Sequence, residues 1–251
     1  MDDLSYPVER RFYGDDESQF VDISRPSDVS HGVVLSLHGG YWRDTYGLDL
    51  HDPIVEHCVK LGWTVVNAEY RRIAPGEQSV WHDMSSDVQQ AAIIARDIAG
   101  NTPLVALGHS AGGHLALWVA GNFESSFEEI PINAVVGLAA VTDLVAADRQ
   151  QLSNGATREL FGFSADEDLD LYELASPYHV LPLGLPQLII HGPNDAHVPY
   201  EMAVNYVDSA RALGDEVTFV NDEGIDHFNV IDPSHRLWRH IDAFLEAQRP
   251  Y

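Results

Sequence analysis

Apolar residues in this chain gather into short continuous runs, separated by longer stretches with a helical repeat. The runs are "GVVLSLHG" (32–39), "WTVVNAEY" (63–70), "PLVALGHS" (103–110), "NAVVGLAAV" (133–141), "PQLIIHG" (186–192) and "EVTFVNDEG" (216–224). Each is a short apolar run set between longer amphipathic segments, so each predicts a buried strand. The spacing between them predicts helices over 52–62, 84–100, "AGGHLALWVAG" directly after Ser110, 199–214 and 234–248. Gly62, Gly100 and Gly214 stand where three of these helices stop, a position that favours a residue free to turn left-handed. Upstream, "RRFY" and "FVDI" flank the polar "GDDESQ" and predict a hairpin.

Strands alternating with helices imply parallel pairing through right-handed crossovers. The expected class is α/β, a mostly parallel doubly wound sheet with an antiparallel N-terminal hairpin. The longest interruption, 142–185, carries "ATRELFGF" and the acidic "SADEDLDLYELA". It reads as short helices laid over one end of the sheet, a lid-like insertion of the sort that commonly serves function. With 251 residues, 45% of them apolar, the chain is expected to form a single domain over 1–251.

Charge narrows the partners. Thirty-nine acidic residues face 14 basic ones, a formal net charge of −25, and Lys60 is the only lysine. Such a surface repels nucleic acid and anionic membrane. No stretch approaches the roughly 18 apolar residues of a membrane span. The start "MDDLSYPVERRFYGDDE" lacks a basic and then apolar signal segment, and Cys58 is the only cysteine. Both features predict a cytoplasmic protein. A small-molecule substrate is the expected partner, and a homodimer is compatible with the sequence.

The chemistry begins at "GHSAGG" (108–113), where Gly108-x-Ser110-x-Gly112 falls at a strand-to-helix junction. A turn that tight requires small neighbours and lifts the serine hydroxyl above the sheet edge. The helix start behind it favours developing negative charge. A serine hydroxyl needs a base to take its proton. In a strand–turn–helix nucleophile elbow the acid and base follow in that order, each after a later strand. "HGPNDAHVPY" puts Asp195 after one strand, and "GIDHFNVID" puts His227 after the last. Asp143 and Asp226 are rival acids and His197 a rival base. His114 reads as a packed residue, His38 as a support of the loop beside it, and Glu69, Arg71 and Arg72 as a structural charge cluster.

In "LSLHGGYWRD" (35–44), Gly39 and Gly40 supply backbone freedom. Their N–H groups, with that of Ala111, form the expected oxyanion hole. Tyr41 and Trp42 are expected to wall the substrate, with Phe161 and Phe163 of the insertion narrowing the space. No HExxH, CxxC or EF-hand spacing occurs, nor GxGxxG or GxxxxGK[ST] after the early strands. Neither a metal nor another cofactor is therefore expected.

Together "HGGYW", "EYRR", "GHSAGGH", "HGPND" and "DHFNVID" resemble the α/β-hydrolase superfamily, in its kynurenine formamidase-like and small carboxylesterase branch. The resemblance runs from about residue 30 to the C-terminus. It implies the α/β-hydrolase fold, Ser110 as nucleophile, Asp195 as acid and His227 as base, with an oxyanion hole on the "HGG" amides. The aromatic after the second glycine is similar to formamidases rather than to the "HGGG" of hormone-sensitive-lipase-like esterases. An N-formyl aryl amide or a small-acyl ester is the substrate this resemblance implies, with a general short-chain carboxylesterase as the alternative. A non-catalytic binding protein on the same scaffold is a third reading.

Overall fold

The computed structural model describes residues 6–121 and 132–250. Eight strands form one sheet: β1 (Val8–Phe12), β2 (Phe20–Ser24), β3 (Val33–Leu37), β4 (Thr64–Ala68), β5 (Leu104–His109), β6 (Ala134–Leu138), β7 (Gln187–Ile190) and β8 (Val217–Val220). Their spatial order is β1-β2-β4-β3-β5-β6-β7-β8. The hairpin β1–β2 is antiparallel and β2 joins β4 antiparallel, while every pairing from β4 to β8 is parallel.

Side chains alternate across a strand, and β5 displays the result. Leu104 and Ala106 enter the core on one face of the sheet, Val105 and Leu107 that on the other. The first core is closed by α2 (Trp81–Ala99), α3 (Ala111–Gly121) and α7 (Tyr200–Ala212). The second is closed by α1 (Asp52–Lys60) and α8 (Trp238–Ala247), through Ile54, Cys58, Trp238 and Ile241. With both faces covered, the central parallel strands are buried at every position, which is why they read as unbroken apolar runs.

The insertion after β6 folds into α4 (Leu144–Arg149), α5 (Leu152–Phe161) and α6 (Leu169–Ala175). The start of α5 is irregular: Ser153, Asn154 and Gly155 all take left-handed backbone angles. Among the described residues no helix is long and apolar enough to cross a membrane.

Candidate active site

Ser110 stands between β5 and α3 with φ 55°. Left-handed backbone costs a non-glycine residue roughly 1–2 kcal/mol, and here the surroundings impose it. A Cβ on Gly108 would lie 2.0 Å from the Gly112 carbonyl oxygen, and one on Gly112 would lie 2.0 Å from that of Leu37. The turn closes only because both positions lack side chains, and that closure presents the serine at the carboxyl end of the sheet.

His227 and Asp195 arrive from two further strand ends. His227 Nδ1 lies 2.7 Å from Asp195 Oδ2. A carboxylate only accepts, so Nδ1 carries the proton and Nε2 is left as a basic lone pair. The Asp195 side chain is fully buried. Its other oxygen accepts from the His197 and Val198 N–H groups at 2.8 and 2.9 Å. His191 Nε2 adds a contact at 3.2 Å to the oxygen that His227 uses. Burial pushes the Asp195 carboxyl up, but hydrogen bonds from His191, His227 and the Val198 N–H, with the His227 charge, outweigh it. The group is held far below the usual carboxylate range.

Ser110 and His227 line one cavity of about 240 Å³, together with Gly40, Tyr41, His109 and His197. No hydrogen bond joins the Ser110 hydroxyl to His227 here; in a resting site this contact is commonly loose and tightens around bound substrate. The N–H groups of Gly39, Gly40 and Ala111 have no acceptor among the described residues. Gly39 packs against the serine so closely that a Cβ there would meet Ser110 Cβ at 3.1 Å. His38 supports this loop: its Nδ1 is 2.8 Å from the Gly39 carbonyl oxygen and its Nε2 is 3.0 Å from Glu69 Oε1. Glu69 also pairs with Arg72, whereas Arg71 turns away to Asp87.

The rivals have other occupations. Asp143 caps α4 by accepting from the Ala146 N–H, and Asp226 accepts from the Phe228 and Asn229 N–H groups of its own turn. His197 lines the cavity but contributes its backbone carbonyl to the Tyr41 hydroxyl. His114 is buried, and its Nδ1 accepts from Trp42 Nε1 at 3.2 Å.

The aromatic wall is not the expected one. Tyr41 lines the cavity, but Trp42, Phe161 and Phe163 do not. Trp42 and Phe161 are 2% and 1% exposed. Tyr41 and Trp42 both take left-handed φ, 51° and 62°, and the second ring enters the core against His114. Phe161 packs on Tyr172 and Trp81, and Phe163 packs on Phe161 and Tyr172, so this aromatic cluster holds the insertion together. The remaining wall comes from Tyr46, Leu50, Phe228, Thr45, Arg43 and Ser153. Of these only Phe228, adjacent to His227, carried a signal that sequence reasoning could have used.

Residues 21–209 match the BD-FAE family. The chain is 26% identical to the esterase LipC of Mycobacterium tuberculosis over 245 residues, covering 89% of this chain but only 60% of LipC. It is 24% identical to the kynurenine formamidase of Danio rerio, covering 88% of this chain and 74% of that protein. A truncated carbohydrate esterase from gut microbiota superposes with a TM-score of 0.80 at 20% identity, over 99% of this chain and 98% of its own. That likeness establishes the α/β-hydrolase fold.

Proposed function

This chain belongs to the BD-FAE family, and from that premise we propose that it is a serine carboxylesterase acting on esters of small acyl groups. One observation carries the reading. A left-handed serine at a glycine-walled elbow shares its cavity with an imidazole whose far nitrogen is pinned by a buried carboxylate.

In this scheme His227 Nε2 takes the Ser110 proton as Oγ attacks the carbonyl carbon, and the carbonyl oxygen becomes an oxyanion. In the same scheme the Gly39, Gly40 and Ala111 N–H groups, which have no other acceptor among the described residues, take up that charge. The imidazolium is balanced by Asp195 and returns its proton to the departing alcohol. Water then adds to the acyl-enzyme by the same route, with His227 as base. Every proton is moved by these side chains and water, so the scheme calls on no cofactor.

The size of the cavity supports a small acyl group, and Tyr41, Tyr46 and Phe228 support an aromatic leaving group stacked beside it. Such contacts add on the order of 1 kcal/mol beyond buried area. A second reading, hydrolysis of an N-formyl aryl amide, is favoured by the similarity to a kynurenine formamidase across most of this chain. The test compares kcat/KM for p-nitrophenyl acetate and N-formylkynurenine, alongside labelling by a fluorophosphonate. Labelling that vanishes in Ser110→Ala is expected. Equal labelling of both proteins overturns the serine mechanism, and fast acetate cleavage with no formamide turnover removes the second reading.

A further inference from the structure

His109 has no part in the scheme above, yet it is placed at its centre. It directly precedes Ser110, is 2% exposed and borders the same cavity. Its Nε2 lies 2.9 Å from the backbone carbonyl oxygen of His227. A carbonyl only accepts, so Nε2 carries the proton. Nδ1 is then a bare acceptor, buried and without a partner among the described residues. The His109 and His227 rings sit with centroids 4.7 Å apart, tilted by 51°.

We propose that His109 is a positioning residue that fixes the spacing between Ser110 and His227 by holding the main chain of the base. The proposal rests on the serine-hydrolase reading of these two residues. Asp195 grips the His227 ring at Nδ1 alone, and a ring held at one atom still moves with its loop. That loop leaves β8, and β6 and β7 stand between β8 and the β5 strand that carries Ser110. Through the sheet, the separation of nucleophile and base would depend on two intervening strands. The His109 bond bypasses them. Adjacent Cα atoms are fixed about 3.8 Å apart by a trans peptide, so the base loop is tied to the nucleophile's own neighbour. On its other side the Ser110 N–H is held by the Leu138 carbonyl at 2.8 Å.

The electrostatics suit this role. Burial, then the neighbouring His227, push His109 down to about 3. The ring therefore stays neutral at working pH and opposes no charge as His227 becomes an imidazolium. A lysine or arginine could also reach a carbonyl, but would set a like charge against the base.

Three variants test it. His109→Gln returns an amide N–H near the Nε2 position, His109→Asn places it near Nδ1, and His109→Leu removes the donor while retaining apolar bulk. Each is assayed for kcat and KM on p-nitrophenyl acetate, for the rate of fluorophosphonate labelling and for thermal midpoint. A misplacement of about 1 Å costs up to about a hundredfold in rate. His109→Leu and His109→Asn are accordingly expected to lose roughly 10- to 100-fold in kcat and labelling, with KM within about twofold. His109→Gln should recover to within about fivefold of the parent. Parent-like rates in His109→Leu overturn the proposal, as does a folded His109→Gln as slow as His109→Asn. If His109→Leu does not fold, the Gln-to-Asn ratio decides. A parent that fluorophosphonate fails to label defeats the serine-hydrolase reading instead, which keeps the two failures distinct.

Discussion

The hydroxyl of Tyr41 donates to the backbone carbonyl of His197 across 2.5 Å, joining the loop after β3 to the loop that carries Asp195. The residue between Gly40 and Trp42 is thus both a wall and a tie. Burial, with Asp195 nearby, pushes its phenol up to about 12, so it stays a donor throughout the working range. Tyr41→Phe keeps the ring and removes only the tie. A hydrogen bond of this kind contributes about 1 kcal/mol net, so kcat/KM for p-nitrophenyl acetate should fall about fivefold. An unchanged value would show that the tie does not reach the chemistry.

Asp195 accepts from His227 and His191 on one oxygen and from two backbone N–H groups on the other. Asp195→Asn is expected to lower kcat on the order of 10⁴-fold, because an amide N–H facing Nδ1 inverts the tautomer. His191→Leu leaves the carboxylate ionised with one donor fewer, and a loss of roughly tenfold in kcat is expected. Equal losses in the two variants would mean that His191 acts by folding alone, which the thermal midpoint would reveal.

Stability should depend on pH through His114. Burial pushes it down to about 4, against the bond it makes to the Ala175 carbonyl. Its folded value lies below the ordinary one near 6.5, so the unfolded chain takes up the proton first as pH falls. The contribution is complete above about pH 6.5 and is lost progressively down to about pH 4. At pH 5 the loss from this residue is about 2 kcal/mol. Urea unfolding at pH 7.5 and pH 5 measures it. His114→Gln, which can both donate and accept, should lose about 2 kcal/mol less than the parent over that interval. The same loss in both would refute the assignment.

Trp42 should matter to stability and not to substrate. Trp42→Phe leaves His114 Nδ1 without its donor and removes buried volume, so a loss of about 1–3 kcal/mol is expected. KM for p-nitrophenyl acetate should stay within about twofold. A several-fold KM change at an unchanged midpoint would return this ring to the substrate wall.

The placement of Ser110, Asp195 and His227 at one end of the sheet was legible because each follows a strand, and the carboxyl ends of parallel strands gather there. The helix after Ser110 begins at Ala111, where its apolar pattern does. Element ends were less legible where side chains decide them. Helix α2 starts at Trp81 rather than Met84, and Trp81 packs edge-on against Trp118. Helix α8 starts at Trp238 rather than 234, because Asp232 ties the Ser234 N–H and hydroxyl into a separate turn. The cavity wall was least legible. Where Tyr41 and Trp42 point depends on two successive left-handed residues, an arrangement that no period of 2 or 3.6 describes. Tyr46 reaches the cavity from a bend, Leu50 from a single 3-10 turn and Ser153 from the left-handed start of α5, segments too short or irregular to show a repeat.

Arg43 follows Trp42 and faces the cavity, and its guanidinium binds Glu159 Oε2 at 2.6 Å, Ser153 Oγ at 2.8 Å and the Ser153 carbonyl at 2.9 Å. The two partners belong to α5, whose first turn is held in left-handed backbone. The insertion and the loop after β3 are consequently not independent modules. Exchanging 142–185 between relatives while leaving residue 43 behind would strand a cation at the rim and release a strained turn. A redesign of this rim would therefore have to change position 43 together with positions 153 and 159.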